Sequence, residues 1–288
     1  MVSGENIPLI WSLSRKIRHR FCPLAAVLHY REARLGFDPG ADEHCRRINQ
    51  LHRIIPEQKY LRQLLMAVMR ESFYRGDDDP DTLYVLALAK CEQDFRQMVF
   101  GNAPQITAGL FYHRQSVAEL RQQLKDELFR QCCTLGDAWA ELLSIPHSRR
   151  RFIASPLHLN INDLECYASP LLAYSEQGKL RIVELRSGNI AFTAPEILVM
   201  HRFYALNVSG RSPETVISCQ LDPERGTLEE LAVDFDISEV LRRMTADAGA
   251  HRENMLTERE QIPENTVNCG HCVFASYCGK NIRKGTTS

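Results

Sequence analysis

The chain has 288 residues, a net charge of -1, 44% hydrophobic and 25% charged residues, and ten cysteines. These are the proportions of an ordinary globular protein with room for one large domain or two smaller ones, and they exclude a strongly basic nucleic-acid binder while allowing a local basic face. No run reaches the roughly 18 apolar residues of a membrane span. The apolar stretch 7–13 is short and precedes its basic neighbours, unlike a secretory leader. A cytoplasmic home is expected, where thiols stay reduced and serve burial or metal binding.

In chain order, Ser12 or Ser14 caps a basic helix whose Arg15, Lys16, Arg18, His19 and Arg20 form a cationic patch. Such a patch is either a solvated face or a contact for a phosphate backbone. Cys22-Pro23 breaks this helix, and Pro23 suits the first turn of the next. Residues 1–37 thus form a basic N-terminal segment. Residues 38–148 read as a helical insertion, with Ile48, Leu51 and Ile55 on one stripe and Leu61, Leu64, Leu65, Val68 and Met69 on another. Asp77, Asp78 and Asp79 precede a helix from Asp81 and act as its cap. A longer amphipathic helix runs from Gln115 to Leu143. Cys45, Cys91, Cys132, Cys133, Cys166 and Cys219 sit within these and later segments and read as small buried hydrophobes.

A charged hinge follows, in which Arg149, Arg150 and Arg151 make a second basic patch. From 149 to 255 the texture becomes α/β. Residues 156–162 alternate as a strand, and strand material in 164–174 meets a strand over 179–185 through the turn Glu176-Gln177-Gly178, predicting an antiparallel hairpin. A helix from Ala194, a strand over 213–221 and a helix over 238–251 complete a mixed sheet flanked by helices. Residues 256–288 carry Cys269, Cys272 and Cys278, spaced C-x2-C-x5-C. Three thiolates are one short of the four that a zinc ion or an iron–sulfur cluster takes, and Cys22 is the best candidate for the fourth.

This order of elements resembles the iron–sulfur branch of the PD-(D/E)XK (restriction-endonuclease-like) nuclease superfamily, which includes RecB-type exonucleases and nucleases of CRISPR adaptation. The residues that carry it are C-P after the basic helix, the hairpin ending in Ile182-Val183-Glu184-Leu185-Arg186-Ser187-Gly188, Tyr204-Ala205 on the following helix, and the terminal cysteines. The resemblance implies a [4Fe-4S] cluster on Cys22, Cys269, Cys272 and Cys278, clasping the two ends of the chain. Zinc on the same thiolates, with His271 nearby, remains the alternative.

The family's catalytic groups are carried over only in part. Leu171 stands where a metal-holding aspartate is expected, Met66 where a histidine is, and Ile197 and His201 where a glutamine and a tyrosine are. Glu184 is kept, and Arg186 replaces the lysine, a planar fork in place of a compact ammonium. A lone carboxylate holds Mg²⁺ or Mn²⁺ poorly, so the chain reads as a degenerate nuclease. The expected role is a nucleic-acid-binding or scaffolding subunit in DNA processing, repair or defence, partnered by DNA or another nucleic acid and by a helicase or nuclease subunit. Two alternatives stay open. One is an active Mg²⁺- or Mn²⁺-dependent nuclease using Glu184 and Arg186 with Asp163 or Glu165 as second carboxylate; the other is a redox-responsive regulator.

Overall fold

The computed structural model describes residues 8–76, 79–100, 116–153, 156–186, 194–207, 210, 212–231, 234–258, 261–275 and 278. The side chains of 97–100, 266, 270 and 271 lie outside this description, as do Asp77, Asp78 and Gln115.

The N-terminal segment opens with a short strand β1 (Ile10–Ser12) and helix α1 (Leu13–Phe21). Ser12 caps α1 by accepting from the Arg15 N–H, as its hydroxyl predicts. Pro23 opens α2 (Pro23–Val27), which continues through one π-helical turn, Leu28–Glu32, into α3 (Ala33–Leu35). Among the described residues four further helices follow: α4 (Glu43–His52), α5 (Glu57–Arg75), α6 (Thr82–Phe100) and α7 (Val117–Leu143). Gly76 ends α5 with φ 85°, the left-handed conformation that glycine adopts without a Cβ penalty. Asp79 accepts from the Asp81 N–H ahead of α6, and the rest of the acidic run read as its cap lies outside the described residues. A capping box between Ser116 and Glu119 starts α7.

The α/β region holds strands β2 (Arg150–Arg151), β3 (Leu157–Ile161), β4 (Leu164–Ala168), β5 (Leu172–Glu176) and β6 (Lys179–Leu185), helix α8 (Ala194–Asn207), strands β7 (Val216–Asp222) and β8 (Thr227–Glu230), and helix α9 (Ile237–Leu256). They form two sheets: β1-β4-β3, and β2-β5-β6-β7-β8. The expected hairpin is present as the antiparallel pair β5 and β6, closed by Gln177 and Gly178 at positive φ. β6 then pairs with β7 in parallel through the crossover helix α8, and the remaining pairs of the larger sheet are antiparallel. The α/β class with mixed sheets is therefore observed.

Three apolar cores organise these elements. Helices α5, α6 and α7 pack on one face of the larger sheet, burying Leu172, Tyr174, Val183 and Leu185 against Leu65, Met69, Phe73 and Trp139. The stretch read as an insertion thus supplies one whole layer of the sheet core. The opposite face, through Ala173, Leu180 and Ile182, packs on α8, α9 and the smaller sheet. A third core joins the two ends of the chain, with Leu24, Leu28 and Ile48 against Met255, Ile262 and Phe274. Cys91, Cys132, Cys166 and Cys219 are buried as expected. Cys45 is half-buried and Cys133 exposed, so the reading of all six as buried fillers is corrected at those two. Among the described residues no helix is long and apolar enough to cross a membrane.

Candidate functional site

Two places hold the residues singled out by the sequence. The first is built where the ends of the chain meet. Cys22 follows the last turn of α1, held there because its N–H donates to the Arg18 carbonyl, and a 3-10 segment, Thr266–His271, brings in Cys269. Asn265 starts that segment by accepting from the Val267 N–H, and Asn268 Nδ2 donates to the Phe21 carbonyl at 2.7 Å. The Leu24 N–H donates to the Pro263 carbonyl, and Arg31 donates to the carbonyls of Met255 and Thr257. These protein contacts tie the two ends of the chain together.

Cys22, Cys269, Cys272 and Cys278 line one depression, partly open to solvent, with Leu24, Leu28 and Phe274 among its walls. Burial raises the Cys269 and Cys272 thiols above the ordinary cysteine range, and the other three cysteines raise Cys272 further, as Cys278 and Cys22 do Cys269. Thiolates gathered in this way repel one another unless a cation lies among them. By residue type these are the donors of a four-thiolate centre, while among the described residues no three His, Cys, Asp or Glu side chains stand in the arrangement of a single metal ion. The His271 side chain, the alternative zinc ligand, lies outside the described residues.

The second place is the hairpin. Glu184 is buried near the end of β6, and alternation along the strand puts it on the face of Leu180 and Ile182, turned toward α8. There His201 of α8 lies within hydrogen-bond reach, Nε2 3.2 Å from Glu184 Oε1 and Nδ1 2.8 Å from Ser218 Oγ on β7. The β5–β6 register ends at Leu172 opposite Val183, and just beyond it the Leu171 N–H donates to the Val183 carbonyl. Leu171 and Met66 both belong to the apolar core that α5 shares with the sheet.

Two arginines of α5 border this site. Arg62 donates to the Leu185 carbonyl, and Arg70 to the carbonyls of Leu171 and Pro170. Burial lowers both guanidinium pKa values, while the nearby Glu184 charge pulls them up. Arg186 pairs with Asp222 at 2.7 Å, and Asp222 in turn accepts from the N–H groups of Glu224 and Arg225. Ser187 and Gly188 lie outside the described residues. Glu184 and the cationic groups described around it are thus engaged within the protein.

Asp163 and Glu165 do not join it. Asp163 occupies the β3–β4 turn at φ 64°, and Glu165 lies on β4 of the smaller sheet, accepting from Tyr167 and facing His158 at 3.8 Å. The carboxylate pair considered for an active nuclease is not assembled, because the two acids and Glu184 belong to different sheets.

Both basic patches are also reduced. Lys16 is buried and pairs with the fully buried Glu196 and with Asp247, so it is no surface cation. Arg150 is buried and donates to the carbonyls of Phe73, Leu143 and Ile145, tying α5 and α7 to the sheet edge. Arg15 lies over the Tyr30 ring at 4.5 Å, Arg18 is half-buried, and Arg20, Arg149 and Arg151 are exposed. Sequence reasoning missed His201, Arg62, Arg70 and Asp222. His201 stood at a position marked only for lacking the family's tyrosine, and no local spacing links it to Glu184.

Neither a protein-family model nor a curated protein matches the chain. Among solved structures it is similar to one titled "Crystal structure of SSO0001", with a TM-score of 0.29 and 14% identity over 77% of this chain and 97% of that one. A likeness of that degree carries neither fold nor activity.

Proposed function

We propose that the chain is a catalytically degenerate PD-(D/E)XK nuclease-like protein, clasped by a [4Fe-4S] centre on Cys22, Cys269, Cys272 and Cys278, that acts as a nucleic-acid-binding or scaffolding subunit of a DNA-processing or defence complex. The observation that carries the non-catalytic reading is the pairing of the buried Glu184 with His201, while Leu171 is part of the apolar core on the α5 side. In-line attack on a phosphodiester needs a divalent ion held by at least two acids and an oriented water. Glu184 supplies one acid, already engaged, and Arg186 is held by Asp222. Bound at the four thiolates, a cluster would supply a cross-link between the chain ends.

Single- and double-stranded DNA incubated with Mn²⁺ should remain intact, and calorimetry should detect no Mg²⁺ or Mn²⁺ binding. Cleavage that disappears in Glu184→Ala would overturn this reading. Anaerobically purified protein should carry iron and sulfide in equal amounts with a broad visible absorbance; zinc in their place would replace the cluster but leave the non-catalytic reading standing. Reversing the charges of Arg20, Arg149 and Arg151 should weaken DNA binding and flatten its salt dependence by about one unit of slope for each phosphate no longer neutralised.

A further inference from the structure

Asn268 stands next to one cysteine and holds the neighbour of another. It directly precedes Cys269 in the 3-10 segment Thr266–His271, and its Nδ2 donates at 2.7 Å to the carbonyl of Phe21, which directly precedes Cys22. One side-chain bond thus joins stretches 247 residues apart in the chain, with a cysteine one residue beyond each end of it.

The local backbone explains why that carbonyl is on offer. Phe21 ends α1, and Cys22 leaves the helix at φ -166° and ψ 118°, so the Phe21 carbonyl is among those that a helix terminus leaves without an internal partner. A carboxamide suits it, because its NH2 donates without carrying a charge. Asn268 is itself held: its N–H donates to the Asn265 carbonyl, while the Asn265 side chain accepts from the Val267 N–H. Beyond it the Cys272 N–H donates to the Cys269 carbonyl, and the Cys278 N–H to the carbonyl of Phe274, a residue of the third core. A hold on Cys269 is therefore passed on to Cys272. The other ties between the chain ends lie farther from Cys269: Arg31 reaches the end of α9, and the Leu24 N–H meets the Pro263 carbonyl.

We propose that Asn268 is the positioning residue of the cysteine centre, setting Cys22 beside Cys269 through a neutral bond that needs no ion. This rests on the reading above that the four cysteines serve one centre. Thiols gathered together separate once ionised, since like charges repel. A bond between uncharged groups resists that separation and keeps the ligands where a metal meets them all. Groups that orient a ligand from one step behind it are worth about 10–100-fold in metal affinity.

Two variants separate the bond from the bulk of the side chain. Asn268→Asp keeps the shape and loses the donor, whereas Asn268→Ala loses both. Anaerobically purified protein challenged with an iron chelator should lose its visible absorbance about ten-fold faster in either variant. After metal removal, the reduced full chain treated with a bifunctional thiol reagent that spans only neighbouring sulfurs should join Cys22 to a cysteine of the terminal segment, as identified by peptide mass. Both variants should slow that joining about five-fold, the worth of one hydrogen bond. Asn268 is half-buried, so the isosteric aspartate keeps the test alive if the alanine variant does not fold. Parent-like rates in Asn268→Asp would give the side chain a filling role and overturn the proposal, as would the lack of any Cys22 adduct in the parent. If the parent holds neither iron nor zinc while its cross-link still depends on Asn268, the metal centre falls and the positioning role stands.

Discussion

The cysteine-lined depression and the hairpin around Glu184 are both polar sites set at the edge of apolar cores, and they differ in what their side chains touch. At the depression four cysteines converge from opposite ends of the chain, Cys22 buried and the other three half-buried, and they are mutually repulsive once ionised. At the hairpin the polar groups meet complementary protein groups: Glu184 with His201, Arg186 with Asp222, Arg62 and Arg70 with carbonyl oxygens. A site that satisfies itself has no need of a ligand.

That contrast can be broken most forcefully at the depression. Replacing Cys22 and Cys272 together by serine should abolish the visible absorbance and destabilise the anaerobic protein by more than about 5 kcal/mol, since metal-binding free energy is folding free energy where the site joins distant segments. Urea unfolding unchanged from the parent would mean that the hydrogen bonds and the third core suffice for the clasp. Next in size comes Lys16→Met, which strands the fully buried Glu196 and should cost about 3–5 kcal/mol, with the added change Glu196→Leu recovering much of it. A surface cation would show less than about 1 kcal/mol.

The hairpin offers a sharper test of self-satisfaction. His201→Leu removes the partner of a buried carboxylate and should destabilise by about 2–3 kcal/mol, whereas Glu184→Gln, which keeps the hydrogen bond, should cost about 1 kcal/mol or less. Equal, small effects would show that Glu184 is not held by His201 and is free for other chemistry.

The smallest effect concerns pH. His251 is pushed down to about 4 in the folded chain against 6.5 ordinarily, so the unfolded chain takes up the proton first. Stability is then full above about pH 6.5 and falls on acidification toward the folded value, by about 2 kcal/mol between pH 6.5 and 5. Denaturation midpoints should show this slope, and His251→Phe should lose it; a slope shared by both proteins would place its origin elsewhere.

Much of the fold was legible because it rests on short-range rules. The Ser12 cap, the Pro23 break, the amphipathic periods of α5 and α7 and the turn Glu176-Gln177-Gly178 follow from spacing and backbone preference alone. The strands β1, β2 and β8 were not legible, since each is at most four residues long and exists only through pairing with another strand. The candidate site was legible in halves. The spacing C-x2-C-x5-C marked three cysteines as candidate ligands, while the contacts bringing Cys22 beside them span almost the whole chain.

By itself, then, the sequence determined the α/β order and the hairpin, because periodicity and turn chemistry are local properties. Tertiary structure alone decided which charges face inward. Lys16 and Arg150 read as surface cations, yet each is buried because its partners, Glu196 for the one and the Phe73 and Leu143 carbonyls for the other, are delivered by other helices. It also decided that Glu184 meets His201 and not a second acid. Burial of a charge depends on a partner that packing supplies, and no spacing along the chain encodes that partner.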